Sequence, residues 1–191
     1  MKNLALSVVL AFGFLSSVAL ADVDYGLEVG VRSQSGDVDG TGLSTTSQTA
    51  MQFGGIAHFP ISGGWYIRSG MLYTQRPLVV KDSGTGVENK VSMTYLDVPV
   101  AVMYKFEDYA GIFGGVSIGM NLDKSCDGAG CVLTDVKTPI VPFIFGASFK
   151  FAPQLGATIY FESYGDNVVK MPPATLKNYR AVGANLLITF N

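Results

Sequence analysis

The sequence predicts an all-β protein, an eight-stranded antiparallel up-and-down transmembrane β-barrel. Three observations predict this fold. Eight segments alternate apolar and polar residues, as strands with two different faces do. Long polar connections alternate with short turns, which is typical of barrels that cross an outer membrane. Charged residues make up only 15% of the chain, below the ~25% typical of soluble domains, and there are 23 glycines.

The amino terminus has the features of a secretory signal peptide. Lys2 provides a positive start, residues 4–15 form an apolar run, and the small residues of the segment 19–21 fit a cleavage site. We therefore expect residues 1–21 to be a signal peptide and residues 22–191 to form one outer-membrane β-barrel domain. A retained helical anchor is the alternative, although the run is shorter than the ~20 residues that a spanning helix needs.

Each of the eight segments has an apolar row and a polar or glycine-rich row. In the first segment, Leu27 and Val29 fall on one face, and Glu28 and Arg32 fall on the other. Segment lengths near the ~9–11 residues of a tilted spanning strand fit a bilayer crossing. The predicted strands are residues 23–33, 49–59, 65–76, 91–106, 109–122, 139–151, 155–164 and 179–190.

The connections give the predicted barrel a direction. An even number of strands returns both termini to one side of the membrane, which for a secreted barrel is the periplasm. The short turns would then be periplasmic, at residues 60–64, 107–108 and 152–154. The long loops would face outward, at residues 34–48, 77–90, 123–138 and 165–178.

A soluble fold, either a lipocalin-like barrel or a β-sandwich, is the alternative. Its apolar rows would face the core and its charged rows would be solvated. The glycine-rich polar rows and the alternation of long and short connections favour the membrane barrel.

The polar rows predict a charged lumen. Eight strands enclose an interior just wide enough for side chains to fill, and buried charges need partners. The predicted network comprises Glu28, Asp97 and Glu162 with Arg32, Arg68, Lys105, Lys150 and Arg180. Two interpretations stay open: a salt-bridged interior that conducts little, or a narrow gated pore or ligand pocket.

The two cysteines, Cys126 and Cys131, lie close together in the third predicted outer loop. The oxidising compartment that a secretory signal implies predicts a disulfide between them. A metal site is the weaker alternative, because two thiols with no nearby histidine do not complete a tetrahedral zinc site. We expect no metal and no cofactor.

The candidate catalytic residues are few. The chain has one histidine, His58, which falls at the periplasmic end of its predicted strand, far from the outer rim where a Ser/His/Asp set would have to form. We therefore expect that the protein is not an enzyme and has no catalytic residues.

One stretch of the chain carries a family resemblance. Tyr-Leu-Asp-Val-Pro-Val at residues 95–100 leads to Tyr-Lys-Phe at residues 104–106, and Phe-Gly-Gly-Val-Ser-Ile-Gly follows at residues 113–119. These motifs resemble the small eight-stranded outer-membrane β-barrel families, of the OmpX and OmpA-transmembrane type and the PorT-like type. The resemblance implies a porin-like protein of the outer membrane of a Gram-negative-type cell. It also implies assembly by the barrel-assembly machinery.

The expected function is a structural or surface-interaction role through the long outer loops. The alternative is a narrow passive channel or carrier for small solutes, including apolar ones. The expected partners are outer-membrane lipid, lipopolysaccharide and an extracellular partner that contacts the loops, and a monomer is expected. With 13 basic and 15 acidic residues and no basic patch, the chain is not expected to bind nucleic acid.

Overall fold

The computed structural model describes residues 23–107, 109–128, 131–172 and 174–190. The predicted signal peptide, residues 1–21, lies outside the described residues. The described residues form eleven β-strands. They are β1 (Asp24–Asp39), β2 (Leu43–Thr46), β3 (Gln48–Ser62), β4 (Trp65–Gln75), β5 (Leu78–Asp82), β6 (Glu88–Phe106), β7 (Ala110–Asp127), β8 (Asp135–Val136), β9 (Phe143–Ala152), β10 (Leu155–Met171) and β11 (Ala174–Phe190).

Eight of these strands close into a ring, as the sequence predicts. Each pairs antiparallel with its neighbours in the order β1, β3, β4, β6, β7, β9, β10, β11, and β11 pairs back onto β1. The closing pair runs from Tyr25 opposite Phe190 to Asp39 opposite Thr175. Among the described residues, no helix has the length and the apolar character needed to cross a membrane.

In this barrel the apolar side chains face outward and the charged side chains face inward, which is the reverse of the arrangement in soluble proteins. Leu27 and Val29 point outward and are 48% and 42% exposed, whereas Glu28 and Arg32 point inward and are each 1% exposed. A soluble barrel would place its apolar row inside. The lipocalin-like and sandwich alternatives are therefore wrong, and the apolar rows face lipid.

Glycines on the inward rows let neighbouring strands and side chains approach closely. A Cβ added at Gly115 would lie 2.2 Å from the carbonyl oxygen of Val100, and one added at Gly183 would lie 2.3 Å from the ring of Tyr160. Any larger residue at these positions would have to displace its neighbour. This crowding explains why the polar rows are rich in glycine.

Three of the four predicted outer loops are largely strand, which corrects the predicted boundaries; in the third, 123–138, β7 continues to Asp127 and β8 covers two residues. The segment 34–48 is mostly β1 and β2, and 77–90 contains β5 and the start of β6, which pair with each other. The segment 165–178 was expected to be a loop, but β10 and β11 continue through it and meet at a tight turn near Pro172. Strand pairing satisfies the backbone groups of these polar segments.

The extended strands enclose a second core above the membrane-spanning part. We call it the outer apolar cluster. Its buried members are Leu78, Val80, Val91, Met93, Tyr95, Ile140, Val168, Val169, Met171, Ala174, Leu176 and Tyr179. Many of them come from the segments expected to be loops. The polar residues between them face water, which is why the composition of these segments is that of loops.

Candidate functional site

The interior of the barrel has three layers along its axis. A vestibule opens at the end of the barrel where β1 begins and β11 ends. We call it the periplasmic end, after the orientation that the sequence predicts, and the opposite end the outer end. A network of charged side chains fills the middle, and the outer apolar cluster fills the outer end. The middle layer contains most of the residues that the sequence predicts for the lumen.

Glu162 is the centre of the first part of the network. Arg32 Nη2 lies 3.0 Å from Glu162 Oε1, and Arg32 Nη1 lies 3.3 Å from Oε2. Arg76 reaches the same carboxylate, with Nη2 at 3.3 Å from Oε2 and Nη1 in contact with Oε1. Two guanidinium groups therefore bind one buried carboxylate, and the side chains cross from β1 and the end of β4 to β10.

Asp97 neutralises the second of these arginines. Arg76 Nη2 donates to Asp97 Oδ2 at 2.7 Å, and the side chains of both residues are almost completely buried. The guanidinium of Arg76 also lies over the ring of Tyr95, 5.3 Å from the centroid. Arg76 thus joins the carboxylates of β6 and β10 across the lumen.

A second ion pair lies next to this group, nearer to the periplasmic side. Arg68 Nη2 donates to Glu28 Oε1 at 2.7 Å, and the guanidinium lies 4.6 Å from the ring centroid of Phe113. Thr158 Oγ1 donates to Glu28 Oε1 at 2.9 Å, and Asn185 Nδ2 donates to Oε2 at 3.0 Å. Both oxygens of this carboxylate are therefore satisfied, as a buried charge requires.

The network is balanced in charge and leaves little space. Three carboxylates, those of Glu28, Asp97 and Glu162, face the guanidinium groups of Arg32, Arg68 and Arg76. The cavity that the three carboxylates and Arg68 line has a volume of about 20 Å³. A cavity of this size holds about one water molecule. The middle layer is therefore a filled cross-section.

Five predicted network residues come together as expected; the other three do not. Lys105 faces inward but pairs with Asp24 near the periplasmic mouth, with its ammonium 4.0 Å from the ring centroid of Tyr66. Lys150 lines the vestibule and has no ion pair among the described side chains. Their predicted place in the network is wrong, because both lie near the periplasmic strand ends.

Arg180 was predicted to be in the lumen, and this prediction is also wrong. It is exposed on the outer wall, because it lies on the same row of β11 as the outward residue Val182. Arg76, which the prediction omitted, bridges two carboxylates of the network, those of Asp97 and Glu162. The available signal was its even spacing from Arg68 and Thr74, which continues the inward row of β4.

The vestibule is a concave space of about 620 Å³ at the periplasmic end. Its walls carry Lys105, Lys150, Ser148 and Tyr66, and the buried His58 lies beside it. The charged network separates this space from the outer apolar cluster.

The outer end is closed by packing and cross-linked at its rim. The hydroxyl of Tyr95 donates a hydrogen bond to the carbonyl oxygen of Lys137 at 3.2 Å. This bond attaches the third predicted outer loop, residues 123–138, to the outer apolar cluster. Cys126 and Cys131 form the disulfide that the sequence predicts. On the surface of the rim, the ammonium of Lys137 hydrogen-bonds the carboxylate of Asp166 and holds the pKa of Asp166 below its usual range.

The site offers little to catalysis or to a metal. The carboxylates of the network are covered by arginines, and His58 lies at the other end of the barrel from the outer rim. In the part of the chain that the structure describes, no group of three His, Cys, Asp or Glu side chains is placed to hold a metal ion.

The fold has counterparts among known outer-membrane proteins. OprG from Pseudomonas aeruginosa superposes with a TM-score of 0.54 at 12% identity, over 88% of this chain and 96% of that chain. AlkL, solved by solid-state NMR in DMPC bilayers, gives 0.52 at 14% identity, over 88% and 90%. Ail from Yersinia pestis gives 0.47 at 11% identity, over 86% and 98%. At these identities, OprG and AlkL show the fold alone.

Sequence comparison places the chain more directly. No curated protein matches it. The family of the outer membrane protein beta-barrel domain matches residues 10–164, which is most of the chain, and the solved counterparts are outer-membrane proteins. The protein is therefore an outer-membrane β-barrel and belongs to the outer membrane protein beta-barrel domain family.

Proposed function

We propose that this protein is a non-enzymatic, closed outer-membrane barrel whose role is structural or surface-interacting. The observation that carries the proposal is the filled lumen. Three arginines and three carboxylates form ion pairs in the middle of the barrel, and the cavity that the carboxylates line has room for about one water molecule. Ions crossing the membrane would need a continuous water path, and this cross-section has none.

The outer rim supports the surface-interaction part of the proposal. Its strands are paired up to the turns, and exposed ion pairs join neighbouring segments: Lys81 with Glu88, Lys170 with Asp135, and Lys177 with Asp39. Each exposed pair adds little stability by itself. Together with the disulfide they give the rim a defined shape, and a preformed surface loses less entropy when a partner binds.

The first prediction tests whether the lumen is closed. We expect the purified protein to give no stepwise ion conductance in planar lipid bilayers. The double substitution Arg76→Ser and Glu162→Ser should give conductance steps, because it removes two large side chains from the charged middle layer and keeps the remaining charges balanced. Heat-modifiable migration on gels would verify that the variant is folded.

The matched control is the pair Lys81→Ser and Glu88→Ser. It also removes one positive and one negative charge, but on the exposed rim, so the conductance should remain absent. Steps in the unmodified protein as large as those of the lumen variant would refute the closed barrel and favour the channel.

A second candidate function, a carrier for small apolar solutes, has one observation in its favour. A pocket of about 340 Å³ lies at the outer rim, next to the outer apolar cluster. Its lining combines apolar residues with the polar side chains of three others: Leu43, Val80, Val87, Met171 and Pro172, with Asp82, Thr85 and Asn89. Pockets of this size and character suit small apolar molecules.

The second prediction applies to this rim pocket. If it binds apolar solutes, the fluorescence titration of the protein with N-phenyl-1-naphthylamine should show saturable binding that Val87→Lys weakens at least several-fold. Val87 is partly exposed and lines the pocket. Val132→Lys is the control, because Val132 is more exposed and lies outside the lining. Equal effects of the two substitutions would remove the support for a carrier.

A further inference from the structure

A groove of about 760 Å³ crosses the outer wall of the barrel. It runs over β3, β1, β11, β10 and β9 on the face that meets lipid, and its lining is mostly apolar. The residues that shape it are Val31, Phe145, Ala147, Ile159, Phe161 and Ala184. Neither the charged lumen nor the rim pocket includes this surface.

The groove exists because small side chains occupy an otherwise bulky surface. Ala147 and Ala184 point outward on either side of Ile159, with which both are paired in register. Phe145 and Phe161 pack next to them with tilted rings, whose centroids are 5.2 Å apart, and form an aromatic side of the groove. The result is a furrow with an aromatic side, which suits a flexible hydrocarbon chain.

The groove lies at the outer end of the apolar band. Along β11 the exposed outward residues run from Leu186 through Val182, and the next outward residue is Arg180. In the register of the sheet Arg180 is flanked by Ser35 on β1 and Ser163 on β10. The outward rows of these strands thus turn from apolar to polar at this level, which is the depth of the outer headgroups.

Arg180 is available to a ligand at that depth. Its side chain is exposed and makes no ion pair or side-chain hydrogen bond within the described ranges. The nearby charges are engaged elsewhere: Lys177 pairs with Asp39 at 2.7 Å, and Asn178 donates to Asp37 at 2.9 Å. A guanidinium at the membrane surface binds phosphate in a two-pronged geometry.

We propose that this groove and Arg180 form a binding site for a phosphate-bearing lipid of the outer leaflet, of the lipopolysaccharide class. An acyl chain lies in the furrow over Ala184 and Ala147, and a phosphate of the headgroup binds Arg180. The spacing supports this arrangement, because Arg180 and Val182 are two residues apart on a strand, about 6.6–6.8 Å. The phosphate therefore sits directly above the outer end of the groove.

Lipid A in nanodiscs of a neutral phospholipid is the probe for this site. Native mass spectrometry of the released protein counts the lipid A molecules that stay bound. Arg180→Gln should lower the apparent affinity for lipid A about fivefold, which is the contribution expected from one basic side chain at an anionic membrane surface. Ala184→Phe fills the furrow and should also lower it several-fold, while both variants keep heat-modifiable migration.

Two matched controls lie on the opposite wall. Lys90 is exposed on the outward row of β6, beyond the apolar residues of that row, as Arg180 is on β11, but it does not line the groove. Lys90→Gln should leave lipid A binding unchanged, and Ile118→Phe, on the outward row of the neighbouring strand β7, is the control for Ala184→Phe.

The outcomes separate the sources of the effect. Weaker binding of dephosphorylated lipid A, and no saturable binding of phosphatidylglycerol, would support the site. Equal loss with Lys90→Gln would show only general attraction of cations to an anionic surface and would overturn the proposal. Equal binding of phosphatidylglycerol would overturn the assignment to the lipopolysaccharide class.

Discussion

Replacing Arg76 with glutamine should lower the free energy of unfolding of the barrel by about 3–5 kcal/mol, the cost of leaving a buried charge without its partner. Asp97 would lose the 2.7 Å hydrogen bond from Arg76 Nη2, and its other carboxylate oxygen has no partner among the described residues. Glu162 would suffer less, because Arg32 still holds it at 3.0 Å. The fluorescence of the single tryptophan, Trp65, during urea unfolding in lipid vesicles measures the change.

The double substitution Arg76→Gln and Asp97→Asn distinguishes a lost ion pair from lost packing. It removes both charges, so it should recover much of the stability that Arg76→Gln loses. Lys81→Gln is the surface control, since Lys81 and Glu88 are about half exposed and their pair contributes little. If Arg76→Gln has no larger effect than Lys81→Gln, the network does not stabilise the barrel.

The strand faces and the closed ring could be predicted from the sequence because the side-chain period of a strand is two. That alternation places Glu28 and Arg32 inside without any knowledge of their partners. The same rule puts Arg180 on the outward row with Val182, so the prediction that Arg180 lies in the lumen assigned it to the wrong face of β11. The inward row of the predicted strand 65–76 also continues from Arg68 to Arg76, so the same rule would have placed Arg76 in the lumen.

The pairing within the lumen could not be predicted, because it depends on how distant strands align. Arg32 and Glu162 are 130 residues apart, and they meet only because β1, β11 and β10 pair in one register. The outer strands were missed for a different reason. Their water-facing rows carry the serine, threonine and aspartate of loops, and the alternating apolar residues, such as Leu176, become significant only when several segments pack together.

Replacing Tyr179 with alanine should lower the free energy of unfolding by about 3–5 kcal/mol, as for other large aromatic side chains in cores. Tyr179 is completely buried in the outer apolar cluster, where it packs among side chains from several strands. The loss would leave a cavity that the paired backbone around it cannot collapse to fill. Urea unfolding followed by circular dichroism, in the same vesicles, measures the difference.

Tyr179→Phe separates packing from hydrogen bonding at this position. The hydroxyl of Tyr179 is buried and has no hydrogen-bond partner in the part of the chain described, so its removal should leave the stability unchanged or raise it slightly. A loss with phenylalanine as large as the loss with alanine would mean that the hydroxyl is bonded and that the outer end is a polar network. An unchanged stability of Tyr179→Ala would mean that the outer strands pair without a packed core, so that the rim could open without unfolding the barrel beneath it.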